Sequence, residues 1–330
     1  MPHILVAGKI HESGLTVLRR APGVTLDVVE AISMESYAPL VVSADALLIR
    51  TQPMPAAVVA TAPRLKIVSR HGVGYDAVDV PALTRRGIPL TIVGDVNSVS
   101  VAEHTLMLML SLAKQTLTHD AATRGEGWNH RNEFNAYELS GKRLLVLGFG
   151  RIGRHVTRLA RAFGMTVEAY DPFAGRAGIQ EGGAEPVDDI GTALSRADVV
   201  SVHMPRSDGK AEIGTPELSL MKSSAIVINT SRGGIVDEKA LFEALEKGRL
   251  AGAGLDVFET EPPPRNHPLL SSGRVIVSPH IAGLTQESAE RMSISAARNI
   301  LDFFAGKLDP ALVVNFAALP AGAIDGAATS

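Results

Sequence analysis

Short apolar segments alternate with segments of helical spacing along most of the chain. His3–Ala7, Thr25–Val29 and Ala46–Ile49 are short and apolar or β-branched, whereas residues 13–20 repeat their apolar positions with a helical period. The same alternation resumes at Arg143–Leu147 and continues for more than a hundred residues. Strands that alternate with helices are typical of parallel sheets covered by helices on both faces. The pattern therefore predicts an α/β protein with two doubly wound domains.

The two blocks are joined by an unusually apolar helical segment. Residues 101–118 carry Leu and Met on nearly every helical face, and such a helix must be buried on all sides. We expect an interdomain core helix, which is compatible with packing against a second subunit in a homodimer. A further helix, predicted from residue 286 to about 304, returns the chain to the first domain. The predicted domains are residues 1–98 with 290–330, and an inserted domain of residues 99–289.

Composition excludes several classes of protein. The chain has no cysteine, which excludes disulfides and zinc–thiolate sites. His71, His104, His119 and His130 show no metal-ligand spacing. The net charge is -3 without a run of Lys or Arg, so no nucleic-acid partner is expected. Residues 1–8 have the pattern of a strand rather than of a signal peptide, and the apolar run 105–113 is too short to cross a bilayer. We expect a cytoplasmic protein.

A glycine-rich motif follows the predicted strand Arg143–Leu147 and opens a predicted helix. Its pattern is G-x-G-x-x-G, in which the glycines provide a tight turn, close approach of the backbone to a pyrophosphate, and close packing of the helix. The pyrophosphate would lie at the N-terminus of the helix, where free N–H groups favour an anion. The residues expected to contact the cofactor are Gly148, Gly150, Arg151, Ile152 and Gly153.

Asp171 supports a dinucleotide site. It ends the next predicted strand, 18 positions after Gly153 (171 minus 153), where a carboxylate can bind the ribose hydroxyls. Since a carboxylate there would repel a 2′-phosphate, NAD is favoured over NADP. The alternative is a capping or turn residue before Pro172.

A second glycine cluster follows another strand, but it lacks the third glycine and a matching carboxylate. A loop of exposed backbone N–H groups can instead hold a substrate carboxylate. The alternative is a plain turn. The loop contains His71, Gly72, Val73 and Gly74.

Three later apolar strands each end in polar residues. The segments are residues 225–234, 254–262 and 275–283. The carboxyl ends of parallel strands are where open α/β sheets bind their ligands. We therefore expect these three segments to meet at one site.

At these segments the sequence resembles the D-isomer-specific 2-hydroxyacid dehydrogenases, especially phosphoglycerate dehydrogenases and hydroxypyruvate or glyoxylate reductases. The resemblance covers about residues 45–316, and its stretches are SRHGVGYD, SVAEHTLMLML, GKRLLVLGFGRIGR, YDP, NTSRGGIVDE, GLDVFETEPP and SPHIAG. It implies a Rossmann NAD-binding domain inserted into a flavodoxin-like substrate domain. It also implies that Arg232, Glu261 and His280 are catalytic.

The chemistry accounts for these residue types. Oxidation of a 2-hydroxy acid needs a base for the hydroxyl proton, and imidazole titrates near neutral pH, which suits His280. Glu261 would hold the other ring nitrogen and stabilise the imidazolium. Arg232 would bind the substrate carboxylate with its planar fork. Glu259 is the other carboxylate that could pair with His280, but the spacing from Asp256 favours Glu261.

The resemblance also implies further contacts with the cofactor. Asp256 is similar to the family residue that contacts the nicotinamide carboxamide, although a strand-end cap is the alternative. The complete set that we expect outside the glycine motif is Asp171, His203, Thr230, Ser231, Arg232, Asp256, His280 and Gly283. On the substrate side we expect Arg70 with the loop that follows it, together with Arg232 and His280.

The identity of the substrate is the least determined property. Arg70 immediately precedes the second glycine cluster and, by resemblance, would lie near a substrate phosphate, which favours hydroxypyruvate or a phosphorylated 2-keto acid. Its alternative is an ion pair with a carboxylate such as Asp76. An NAD-sensing corepressor of the same fold is a second functional hypothesis. Formate oxidation is disfavoured because Pro279 precedes His280, where formate dehydrogenases of this fold have Gln. Because the chain ends soon after Phe316, we expect no C-terminal regulatory domain.

Overall fold

The chain forms two compact units. The computed structural model describes residues 1–206 and 211–325. One unit consists of Met1–Asn97 together with the chain from Gln286 onward, and the other consists of Ser98–Thr285. The first unit is therefore discontinuous in sequence, and the second is inserted into it.

The secondary-structure elements of the described residues follow in chain order. The strands are β1 His3–Ala7, β2 Thr25–Val29, β3 Ala46–Ile49, β4 Ile67–Arg70, β5 Leu90–Thr91, β6 Arg143–Leu147, β7 Thr166–Tyr170, β8 Glu185–Pro186, β9 Val199–Val202, β10 Ile226–Asn229, β11 Gly252–Leu255 and β12 Val275–Val277. The α-helices are α1 Glu12–Arg19, α2 Met34–Tyr37, α3 Ala56–Ala60, α4 Val80–Arg85, α5 Ser98–Ala113, α6 Thr116–Arg124, α7 Arg151–Ala162, α8 Gly175–Glu181, α9 Ile190–Arg196, α10 Thr215–Leu220, α11 Glu238–Glu246, α12 Pro268–Ser271 and α13 Gln286–Phe304. Four short 3-10 helices are Val41–Ser43, Trp128–Asn132, Pro310–Leu312 and Phe316–Ala318.

The first unit contains a five-stranded parallel sheet. Its order is β2-β1-β3-β4-β5, which is the flavodoxin-like order. The central strands are apolar at every position because helices cover both faces, so that Leu5 and Leu47 pack on one side and Ile4 and Leu48 on the other. Helix α13 packs against α1 and β4. Through this helix the chain returns to the first unit.

The second unit contains a seven-stranded parallel sheet. Its order is β12-β11-β10-β9-β6-β7-β8, so the strand order reverses around β6, where the chain enters the sheet. This is the Rossmann arrangement, in which ligands bind at the carboxyl ends of the strands beside the reversal. The predicted fold class, a Rossmann domain inserted into a flavodoxin-like domain, is confirmed.

The long apolar helix differs from its prediction. It is two helices, α5 and α6, separated at Gln115, whose φ of 53° lies in the left-handed region. Helix α5 lies close to β11 because Gly254 has no side chain, and a Cβ there would be 3.0 Å from Leu108 Cβ. Burial on all sides was also wrong, since Met107 is 41% exposed. In the described part of the chain, no helix is long and apolar enough to cross a membrane.

Candidate active site

The glycine motif forms a tight turn between β6 and α7. Gly148 has a φ of 93°, and a Cβ there would be 2.6 Å from the carbonyl oxygen of His203 on the neighbouring strand. A Cβ on Gly153 would be 2.3 Å from the carbonyl oxygen of Gly148. Backbone atoms therefore exclude a side chain at both positions, which brings the first turn of α7 directly against the loop.

The middle glycine faces open space. A Cβ on Gly150 would have no atom within 4 Å, and this residue caps the N-terminus of α7. The first N–H groups of a helix have no acceptor within the helix, and its dipole favours an anion there. The cradle of open backbone at Gly150, Arg151 and Ile152 therefore fits the pyrophosphate of a dinucleotide.

Asp171 lies directly beside the glycine motif, at the end of β7. Its Oδ2 accepts a hydrogen bond from the Phe149 N–H at 2.7 Å. Its Oδ1 accepts hydrogen bonds from the N–H groups of Phe173 at 2.8 Å and Ala174 at 3.1 Å. Asp171 thus links the glycine loop to the turn that follows β7. These hydrogen bonds are the capping contacts that were the alternative to a ribose-binding role for Asp171.

The loop after β10 is held in shape by the buried Asn229. Its Oδ1 accepts hydrogen bonds from the N–H (3.0 Å) and the hydroxyl (2.9 Å) of Ser231, and its Nδ2 donates to the Arg232 carbonyl at 2.8 Å. The Thr230 hydroxyl lies 2.9 Å from that of Thr105 on α5. The guanidinium of Arg232 donates to the Ser231 carbonyl at 2.7 Å. These contacts present Arg232 at the carboxyl end of the sheet on a rigid turn.

The next loop lies against this turn without intervening side chains. A Cβ on Gly233 would be 1.9 Å from the carbonyl oxygen of Phe258, so only glycine allows the two backbones to approach. The same loop carries Glu261, whose Oε1 accepts the Phe258 N–H at 3.1 Å. The turns that carry Arg232 and Glu261 are therefore adjacent.

His280 and Glu261 form a pair. Nδ1 of His280 lies 2.7 Å from Oε2 of Glu261, and their side chains are 50% and 37% exposed. A carboxylate accepts hydrogen bonds, so Nδ1 carries the hydrogen and Nε2 remains the ring nitrogen available to a substrate. Glu259, the rival carboxylate, instead lies 3.7 Å from the guanidinium of Arg206.

The electrostatics of Glu261 link all three residues. Partial burial by itself raises the pKa of Glu261, but hydrogen bonds from His280 and the Phe258 N–H outweigh it, and the charges of His280 and Arg232 add to them. The net effect holds the pKa of this carboxyl below its ordinary value. The structure thus brings Arg232, Glu261 and His280 together at one end of the sheet.

Asp256, at the end of β11, is buried and organises the loop that carries His280. Its Oδ1 accepts the Ile281 N–H at 2.9 Å and its Oδ2 accepts the Ala282 N–H at 2.8 Å. The Ser278 hydroxyl donates to its Oδ1 at 2.6 Å, and the same hydroxyl lies 2.9 Å from Nε2 of His104. No role for Ser278 or His104 was predicted from the sequence. The available signals were their places in the stretches SPHIAG and SVAEHTLMLML, which resemble the family.

His203 follows β9 on the far side of the glycine motif. Its Nε2 lies 2.7 Å from the Ser201 hydroxyl, and burial lowers the pKa of His203 to about 3. The ring is therefore neutral at physiological pH and forms an uncharged wall beside Gly148. Gly283, the last of the expected cofactor residues, lies just beyond the loop held by Asp256.

The second glycine cluster belongs to the first unit. The Arg70 guanidinium donates to the His71 carbonyl at 2.7 Å and lies over Gly72, where a Cβ would be 3.2 Å from Nη1 of Arg70. The His71 ring is buried, with Nε2 2.8 Å from the Ser293 hydroxyl of α13. Val73 packs against the apolar core of this unit, and Gly74 is half-buried. Arg70 therefore braces the backbone of its own loop.

Burial and two nearby cations determine the state of His71. Burial lowers its pKa most, and the charges of Arg50 and Arg70 lower it further, to about 3. The side chain of His71 is consequently neutral, and both guanidinium groups lie near it. Among the described residues, no group of three or more His, Asp or Glu side chains could hold a metal ion.

Known proteins are similar to this chain over most of its length. Residues 106–282 match the family described as D-isomer specific 2-hydroxyacid dehydrogenase, NAD binding domain. D-3-phosphoglycerate dehydrogenase of Methanocaldococcus jannaschii is 38% identical over 310 residues, which cover 93% of this chain and 58% of that protein. Glyoxylate reductase of Korarchaeum cryptofilum is 37% identical over 318 residues, which cover 94% of this chain and 96% of that protein.

A solved structure is also similar. D-lactate dehydrogenase of Aquifex aeolicus, solved as a complex with NAD and lactic acid, is 28% identical with a TM-score of 0.84, and the match covers 94% of this chain and 98% of that chain. The sheet orders and the glycine loop define a two-domain α/β protein with a dinucleotide-binding second domain. The chain belongs to the D-isomer specific 2-hydroxyacid dehydrogenase family, and residues 106–282 are its NAD binding domain. It spans 58% of the length of the phosphoglycerate dehydrogenase that it matches.

Proposed function

We propose that the protein is an NAD-dependent dehydrogenase that interconverts a small D-2-hydroxy acid and its 2-keto acid. The observation that supports this most strongly is the 2.7 Å contact between Nδ1 of His280 and Glu261, at the carboxyl end of an NAD-binding sheet. A histidine that is half exposed and paired with a carboxylate has the properties of a general acid and base.

His280 moves the proton. In the oxidising direction Nε2 accepts the proton of the substrate hydroxyl, and in the reducing direction the protonated Nε2 returns it to the carbonyl oxygen. Glu261 holds Nδ1–H, which keeps Nε2 free for the substrate, and its negative charge stabilises the imidazolium formed during oxidation. The lowered pKa of Glu261 keeps this charge in place at neutral pH.

Arg232 binds and polarises the substrate. The positive charge of its guanidinium helps to lower the pKa of Glu261. The hydrogen bonds of Asn229 hold the turn that positions Arg232. A planar fork of N–H donors matches a carboxylate, so Arg232 orients the acid with C2 toward the cofactor. Near the keto oxygen the same charge also stabilises the alkoxide that develops during reduction.

The cofactor is held by the second unit. Gly148, Gly150 and the first N–H groups of α7 would hold the pyrophosphate, and Asp171 would accept hydrogen bonds from the ribose with lone pairs that the backbone leaves unused. When bound, NAD accepts or supplies the hydride. Asp256 and the neutral His203 are proposed to contact the cofactor at the other strand ends.

We propose that the substrate carries a polar or anionic group beyond C2. Arg50 and Arg70, at the carboxyl ends of β3 and β4, are both close enough to lower the pKa of His71. Two guanidinium groups beside a loop of backbone N–H groups suit a phosphate or hydroxyl better than a methyl group. Hydroxypyruvate and 3-phosphohydroxypyruvate fit this description, and two similar proteins are named for phosphoglycerate and glyoxylate.

We also propose a homodimer. Apolar side chains remain exposed on α5, on α6 and in the segment that follows α6. They are Val99, Met107, Leu117, Trp128 and Phe134. An exposed set of this kind within one segment marks an interaction surface, and a second copy of the chain presents the same surface.

The test is a panel of glyoxylate, pyruvate, hydroxypyruvate and 3-phosphohydroxypyruvate with NADH and with NADPH, compared by kcat/KM. We expect turnover of the polar acids with a preference for NADH, because Asp171 would repel a 2′-phosphate. NADH binding without oxidation by any of the four acids would contradict the enzymatic proposal and favour a cofactor-sensing protein. Equal values for NADH and NADPH would contradict the role of Asp171.

A further inference from the structure

A chain of buried hydrogen bonds joins helix α5 to the loop that carries His280. Asp256 Oδ1 accepts the Ile281 N–H, so this oxygen acts as an acceptor toward Ser278 as well. The Ser278 hydroxyl therefore gives its single hydrogen to Asp256, and its lone pairs accept Nε2–H of His104 at 2.9 Å. The direction of each bond from His104 to Asp256 follows from this.

Asp256 stabilises a backbone conformation that His280 would not adopt alone. His280 has a φ of 52°, in the left-handed region, which costs a residue with a Cβ about 1–2 kcal/mol. The Asp256 carbonyl accepts the His280 N–H at 2.8 Å, and its carboxylate accepts the next two N–H groups. Strained backbone of this kind persists only where its surroundings hold it. Asp256 holds the loop on both sides of the strained residue.

The orientation of Asp256 depends in turn on Ser278 and His104. Asp256 is 1% exposed and the His104 side chain 15%, so water cannot readily replace a lost partner. Without the Ser278 hydroxyl, Oδ1 of Asp256 keeps the Ile281 N–H but loses its donor on the side of His104, so less holds the carboxylate in its present orientation. A rotation of the carboxylate would release the N–H groups of Ile281 and Ala282, whose hydrogen bonds hold the backbone conformation of His280.

We propose that His104 and Ser278 are positioning residues which, through Asp256, aim the His280 ring at Glu261; this proposal rests on the function proposed above. His104 lies 174 positions before Ser278 in the sequence and comes from a helix that carries no other proposed site residue. Its role is to keep the acid–base group in a productive geometry rather than to touch the substrate.

Two pairs of variants test the proposal. Ser278→Ala and His104→Leu remove the bonds, whereas Ser278→Thr keeps a hydroxyl and His104→Gln keeps an N–H donor near the Nε2 position. We expect kcat for hydroxypyruvate reduction to fall roughly 10- to 100-fold in the first pair, the usual effect of a misplaced catalytic group. In the second pair it should return to within about threefold of the unaltered protein. Ser271→Ala, at an exposed position of α12, is the matched control.

A readout independent of turnover separates this proposal from the proposed function. In proton NMR, the Nδ1–H resonance of His280, assigned by its loss in His280→Asn, should broaden or vanish in Ser278→Ala and His104→Leu and persist in the conservative variants. If the unaltered protein reduces no 2-keto acid but the resonance responds as described, the enzymatic function fails and the positioning role stands. An unchanged kcat and resonance in folded Ser278→Ala and His104→Leu would overturn the positioning role. So would a loss of kcat that is matched by a loss of Tm and that the conservative variants do not rescue.

Discussion

Two histidines, one in each unit, lie in loops at the carboxyl ends of parallel strands. His71 directly follows the internal strand β4, and His280 lies three residues beyond the edge strand β12. His71 is 4% exposed, and its Nδ1 has no hydrogen-bond partner among the described residues. The His280 side chain is 50% exposed, and its Nδ1 lies 2.7 Å from Glu261.

The difference shows how the surroundings of a histidine side chain determine what it can do. Burial and two neighbouring cations hold the pKa of His71 near 3, so that it stays neutral and contributes shape and a hydrogen bond to Ser293. His280 faces solvent and has a carboxylate to stabilise its charged form. Burial therefore removes His71 from proton transfer, whereas His280 has the exposure and the carboxylate partner that a general acid and base needs.

The largest expected effect concerns His280. His280→Asn should lower kcat by roughly two to four orders of magnitude, because the proton transfer loses its acid and base. Steady-state reduction of hydroxypyruvate with NADH measures the loss, and the Tm serves as the control for folding. His71→Asn should cost far less in kcat. If His71→Asn proved as damaging as His280→Asn, the contrast between the two histidines would be wrong.

The next effect concerns the anionic end of the substrate. Arg70→Ala should lower kcat/KM for 3-phosphohydroxypyruvate by roughly 10- to 150-fold, the equivalent of about 1.5–3 kcal/mol for a lost charge-assisted hydrogen bond. Pyruvate should be little affected. Arg85→Ala, an exposed change in the same unit, is the control. Because Arg70 also bonds to the His71 carbonyl, an equal loss on all acids would show that it only supports the loop.

The smallest effect, counted per pH unit, is on stability at acidic pH. The folded-state pKa of His71, about 3, lies below the ordinary value of 6.5, so the unfolded chain binds the proton first as the pH falls. The stability that depends on neutral His71 is complete above about pH 6.5 and is lost toward pH 3, by up to about 1.4 kcal/mol per pH unit.

Urea unfolding at pH 7, 6 and 5 measures this slope. His71→Asn should make the slope shallower by up to about 1.4 kcal/mol per pH unit, whereas His119→Asn, on the outer helix α6, should leave it unchanged. His203, whose pKa is also lowered to about 3, maintains part of the slope in both variants. An identical slope in His71→Asn and the unaltered protein would mean that His71 is accessible to protons in the folded state.

Much of the fold and of the candidate site could be predicted from local patterns. Strands buried on both faces are continuously apolar, and the glycine motif is short, so both are visible within a few residues. Arg232, Glu261 and His280 each follow an apolar strand, and parallel strands place their carboxyl ends at one edge. Their meeting therefore followed from topology together with the family resemblance.

What the sequence by itself determined about this protein is the alternation of elements, the order of the motifs and the chemical types at the strand ends. The tertiary structure alone decided the burial of His71, the break at Gln115, the exposure of Met107 and the bond between His104 and Ser278. The physical reason is that these properties depend on atoms far apart in sequence. Burial and hydrogen-bond direction set the charge state and orientation of a side chain, and neither is encoded in its neighbours along the chain.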